Sequence, residues 1–141
     1  MKAMENLYIK PGKNTPEIFF SPSENIFFIR GSSSPEDVRA IYYPAVEWIK
    51  IFAEYVLSGE YPQYTSISPV IFKIDLKYFN SSSANFLFEI LSELKELNDN
   101  NIKSIVEWHY DIDDSDHKEA GSDLATLAGI DITFVPRNES D

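Results

Sequence analysis

The chain has 141 residues, enough for one domain with a single core, and 43% of them are apolar, with ten Phe, eight Tyr and two Trp. Its formal charge of −11, from 23 acidic and 12 basic residues, argues against nucleic acid and anionic membrane surfaces as partners, because both would be repelled. The chain has no cysteine, hence no disulfide or thiolate site, its N-terminal "MKAMENLYIK" lacks an apolar targeting core, and no apolar run approaches membrane-spanning length, so a cytoplasmic protein is expected.

"LYIK" at residues 7–10 reads as a short strand. Two apolar runs follow, at residues 18–20 and 26–29, around the turn-rich "SPSEN", which predicts a β-hairpin. Gly31 and the serines after it are expected to end the second strand. In "SPEDVRAIYYPAVEWIKIFAEYVLSG", Ser34 before Pro35, Glu36 and Asp37 predicts a helix start with Ser34 as N-cap. Apolar positions from Val38 to Val56 keep a helical period, Pro44 is expected to kink or divide the helix, and Gly59 to stop it. "VIFKIDLKYF" alternates, with Val70, Phe72, Ile74, Leu76 and Tyr78 on one side.

The triple serine "NSSS" then precedes a second amphipathic helix carrying Leu87, Phe88, Leu91 and Leu94. "NDNN" stops it, "IKSIVEWHY" reads as a strand, a third helix is expected near residues 116–127, and "GIDITFVP" closes the fold as a strand. Strand–helix alternation in the later chain implies parallel crossovers beside the antiparallel hairpin. The expected fold class is α/β: one domain over residues 1–141 with its core at about 7–135 and a polar tail at 136–141, a mixed sheet, and three helices packed mainly on one face.

A tight strand-to-helix loop brings its residues to the carboxyl edge of the sheet, where the first helical N–H groups are free. There Ser81 or Ser82 can cap the helix, or accept a phosphate that the positive helix end would tolerate. A nucleophilic serine is disfavoured, because the two histidines, His109 and His117, sit in no recognisable motif and G-x-S-x-G is absent. "DIDDSDHKE" fails as a calcium loop: its sixth position is Asp116 rather than glycine, and its twelfth is Ser122 rather than glutamate. Two histidines are too few for a zinc site, and the glycines form no phosphate cradle, so neither metal nor nucleotide cofactor is expected. Trp108, His109 and Tyr110 end a strand near the serine edge and read either as core and rim or as part of a recognition surface.

"LYIKPGKNTPEIFF", "YYPAVEWI", "LKYFNSSSANFLFEIL" and "VEWHYDIDDSDHKEAG" together resemble the SiaC family of regulatory phosphoproteins, over residues 7 to about 134. The resemblance implies a fold similar to anti-sigma-factor antagonists of the STAS class. It implies a phosphoacceptor directly after the asparagine of the serine stretch, which is Ser81, with Ser82 as the alternative. It also implies a non-enzymatic switch. A serine/threonine kinase adds the phosphate, a PP2C-type phosphatase removes it, and the unphosphorylated form binds and activates a partner such as a diguanylate cyclase. Asn80, Ser82, Ser83, Trp108, His109 and Tyr110 would then form the partner-binding loop and its surroundings. The competing expectation is a constitutive interaction adaptor whose serine loop only caps a helix.

Overall fold

The structure, a computed structural model, describes residues 4–138. The chain runs β1 (Leu7–Ile9), β2 (Glu17–Ser21), β3 (Ile26–Ser33), α1 (Val38–Leu57), β4 (Val70–Phe79), α2 (Ser81–Asp99), β5 (Ser104–Asp111), α3 (Ser115–Ala128) and β6 (Ile132–Arg137). This is the element order the sequence predicts. The six strands lie side by side in sequence order. β1–β2 and β2–β3 pair antiparallel, and β3–β4, β4–β5 and β5–β6 pair parallel. Three successive crossovers stepping the same way deliver all three helices to one face, with α2 packed between α1 and α3.

Alternation along the strands explains the core. Ile18 and Phe20, Phe27 and Ile29, and Val70, Phe72, Ile74 and Leu76 point under the helices and are buried. Phe20, Phe27 and Phe72 meet there with ring centroids 5.4–6.2 Å apart. β6 extends to Arg137, so the expected tail begins later than residue 136. Residues 1–3 and 139–141 lie outside the described part.

Three local expectations are corrected. The N-cap of α1 is Asp37, whose carboxylate accepts from the Ala40 N–H at 3.2 Å; Ser34 is held by its own N–H to the Asn14 carbonyl, before the helix begins. Pro44 does not divide α1. It sits on the exposed side of the helix, as does Ala40, whose carbonyl loses its helical donor there. β3 does not stop at Gly31. With φ of +107°, Gly31 opens a bulge at which the β3–β4 register jumps from Gly31↔Leu76 to Ser32↔Tyr78, passing over Lys77. The jump reverses parity at the end of β4. Tyr78, expected beside Leu76, is 56% exposed, and Phe79 turns inward against Trp108.

The opposite face of the sheet carries no helix. Its upper part is held by ion pairs: Arg30 with Glu17, and Arg137 with both Asp75 and Asp111. Lys73 stands opposite Glu107 in register, and Lys77 flanks the Arg137 group.

Candidate functional site

β4 leads into α2 through one residue. Asn80 has extended backbone (φ −87°, ψ 171°), and its side-chain Oδ1 accepts the Ser83 N–H at 2.9 Å, so the cap of α2 is Asn80 rather than a serine. The first helical hydrogen bond is made by the Ala84 N–H to the Asn80 carbonyl at 3.1 Å. The N–H groups of Ser81 and Ser82 precede it and belong to the free donors of the helix end. Both serine side chains are exposed.

Ser83 is different. It is fully buried, and its hydroxyl lies 2.7 Å from Asn80 Oδ1 and 2.9 Å from the Ser33 hydroxyl, which is 2.7 Å from the Tyr42 hydroxyl. The donor order Tyr42 to Ser33 to Ser83 to Asn80 gives every hydroxyl a partner. The Asn80 N–H donates to the Ser33 carbonyl at 2.9 Å. This chain ties the end of β3, the first turns of α1 and the start of α2 together beneath the exposed serines. Burial pushes the Tyr42 hydroxyl up to about 12, against the lowering effect of the Ser33 and Ser83 hydroxyls, so it stays protonated as a donor.

The other candidates divide by strand parity. Trp108 is fully buried; it is part of the floor under the loop, with its ring 5.7 Å from Phe79, and does not present a surface. Tyr110 is also buried, its ring against Phe134. His109 points to the helix-free face, where its Nε2 lies 3.0 Å from Glu107 Oε1. The structure therefore joins Asn80, Ser81 and Ser82 at the edge, places Ser83, Trp108 and Tyr110 beneath it, and sends His109 to the far side. Ser33 and Tyr42 were not legible as site residues. Their contact with Ser83 arises only when β3 and β4 pair and α1 folds back.

Three helix starts share this edge, and their charges differ. α1 is capped by Asp37, and α3 by Asp114 with Asp116 in its first turn. α2 has a neutral cap and no acidic residue in its first turn, so no carboxylate offsets its positive end. A cleft of about 490 Å3 opens at the other end of the sheet, between Lys95, Asn98 and Lys103. Among the described residues no cluster of three or more His, Asp or Glu side chains could hold a metal ion, and no helix is long and apolar enough to cross a membrane.

His117 packs against Trp108 and Phe79 at the start of α3. Burial lowers its pKa; Asp114, Asp111 and a hydrogen bond with the Leu76 backbone oppose the shift, and Arg137 adds to it. A histidine held neutral in the fold but free to charge when unfolded contributes stability that is present above the unfolded pKa and lost as pH falls below it. The melting temperature should therefore fall between about pH 7 and pH 5, and less steeply in His117→Gln. Equal slopes in the two proteins would remove His117 from the account.

Fold and edge together define a class: a small α/β protein, helices on one sheet face, with a serine pair exposed at one helix start. The family model for the SiaC family regulatory phosphoprotein matches residues 9–137, and the chain belongs to that family. The structure is similar to the crystal structure of apo-SiaC from Pseudomonas aeruginosa, with a TM-score of 0.78 at 21% identity over 93% of this chain and 98% of that one. It is similar to SiaC in the crystal structure of the diguanylate cyclase SiaD with its activator SiaC, from the same organism, with a TM-score of 0.79 at 20% identity over 93% of this chain and 99% of that one. An uncharacterised protein of Pseudomonas aeruginosa is 26% identical over 108 residues, spanning 77% of this chain and 78% of its own length.

Proposed function

We propose that this chain is a non-enzymatic partner-exchange switch whose phosphoacceptor is Ser81. A serine/threonine kinase transfers the γ-phosphoryl group of ATP to the Ser81 oxygen, releasing ADP and the hydroxyl proton. A PP2C-type phosphatase returns the hydroxyl by adding water across the phosphoester, releasing inorganic phosphate. The unphosphorylated form binds and activates a downstream partner, a diguanylate cyclase, in the cytoplasm.

The observation that carries this reading is the division of labour within "NSSS". Asn80 takes the capping role and Ser83 the buried one, which leaves the Ser81 and Ser82 hydroxyls exposed beside unclaimed N–H groups, and the place directly after the asparagine favours Ser81 over Ser82. The capping-only adaptor gives Ser81 nothing to do. Family membership and the activator complex of a relative support the cyclase as the partner class. Phosphorylation adds about −1.5 to −2 charge to this edge. A partner fitted to the neutral α2 start would then enclose an unpaired dianion.

Calorimetric titration of the unmodified and the Ser81-phosphorylated protein into a SiaD-type diguanylate cyclase tests this. The unmodified form should bind and raise cyclase activity. The phosphorylated form should bind at least about tenfold more weakly, the equivalent of ~1.4 kcal/mol. Equal affinity of the two forms would rule the switch out.

A further inference from the structure

The helix-free sheet face carries an apolar patch that the serine switch does not use. Tyr8, Phe19 and Phe28 form one row across β1, β2 and β3, with ring centroids 6.3 and 5.9 Å apart. Ile71 and Ile105 are register partners in the next row, and Ile26 lies at the start of β3 on the same face. Tyr8 is 55% exposed and Ile26 37% exposed. A solvated sheet face normally alternates to polar residues here. Phe19, Phe28, Ile71 and Ile105 are half-buried, Phe28 partly beneath the Arg30 guanidinium at 4.4 Å, and together with the exposed Tyr8 and Ile26 they form a contiguous, partly solvent-facing apolar group of the kind that marks a contact surface.

Charge selects the occupant. The acidic side chains of this face (Glu17, Asp75, Glu107 and Asp111) are matched in number by Arg30, Lys73, Lys77 and Arg137. The chain as a whole has a formal charge of −11. α1 and α2 alone carry Glu47, Glu54, Glu89, Glu93, Glu96 and Asp99 against Arg39, Lys50 and Lys95. The raised pKa of Glu93, from burial and then from the neighbouring Glu96, Glu54 and Glu89, reports that crowding. A basic partner would be drawn to the helices. Two copies of this acidic chain repel each other there, but not across a balanced, apolar sheet.

We propose that the helix-free face is where two copies of the chain meet, in a two-fold contact centred on Phe19, Phe28 and Ile71. Five strands, β1 to β5, about 4.8 Å apart and presenting up to about five residues each, offer a plane of ~400 Å2. A standard interface buries roughly 800 Å2 per partner, so the dimer is weak and forms in a concentration-dependent way. The long-range repulsion between two acidic copies is screened by salt while the apolar contact is not. Dimerisation should therefore strengthen as sodium chloride rises, the reverse of a contact held by ion pairs.

Sedimentation equilibrium over a concentration series, at low and high sodium chloride, tests this on the full chain. The parent should pass from monomer to dimer with a midpoint that falls several-fold in high salt. Phe28→Glu should stay monomeric. Tyr8→Ala serves as a second variant at an exposed site remote from the core, and should weaken association measurably at an unchanged melting temperature. A parent that stays monomeric throughout overturns the proposal and leaves the face to another occupant. So does a Tyr8→Ala variant that is folded and dimerises like the parent. Phosphorylation of Ser81 is independent of either result.

Discussion

Substituting aspartate for Ser83 should remove about 3–5 kcal/mol of stability, while the same change at Ser81 should fall within about 0.5 kcal/mol of neutral. The two side chains are two residues apart and chemically identical. Ser83 is fully buried, and its hydroxyl meets Asn80 Oδ1 and the Ser33 hydroxyl. A carboxylate there would face an acceptor oxygen across 2.7 Å, with no cation to offset it. It would also disturb the Ser33–Tyr42 bond and the capping contact to the Ser83 N–H. Ser81 is exposed at the first position of α2, where a negative charge is favoured by the helix end and sits in water. Thermal melts of the two variants check this. Comparable losses would mean that Ser81 is buried or engaged in solution, and the acceptor role would go with its exposure.

The second large effect is Gly121→Ala, which should lower stability by about 2–3 kcal/mol and the melting temperature by ~10 °C. A Cβ at Gly121 would lie 2.5–2.7 Å from three atoms of the Trp108 ring. The ring cannot retreat. It is fully buried, donates its Nε1–H to the His117 carbonyl at 3.1 Å, and is wedged by Phe79. Relief has to come from α3 moving off the sheet. A melting temperature unchanged by the substitution would show that α3 does not sit this close. Because Phe79 directly precedes Asn80, the same packing positions the loop that carries Ser81.

The sequence made the helices and strands legible because their periods are strong. β4 alternates over Val70 to Leu76, and α2 shows its stripe from Leu87 to Leu94. It did not reveal the parity reversal at Tyr78, because the bulge depends on how Gly31 pairs with Leu76, far along the chain and outside any local pattern. The cap was legible in principle, since asparagine is among the best N-caps, but the run of serines after it drew the assignment one residue too far. The buried role of Ser83 was not legible. Nothing local separates it from Ser81 until Ser33 and Tyr42 arrive from other elements. Trp108 and His109 are chain neighbours on opposite faces of the sheet, which the alternation of β5 could have shown.

Ser81 and Ser82 of the triple serine stand exposed while Ser83 is locked beneath them, and Ser81 is the proposed acceptor. Site-resolved mass spectrometry after incubation with the serine/threonine kinase and ATP tests this most directly. One phosphate should appear, on Ser81, with none on Ser83 and none taken up by Ser81→Ala. Full phosphorylation of the Ser81→Ala protein, at Ser82 or elsewhere, would contradict the assignment.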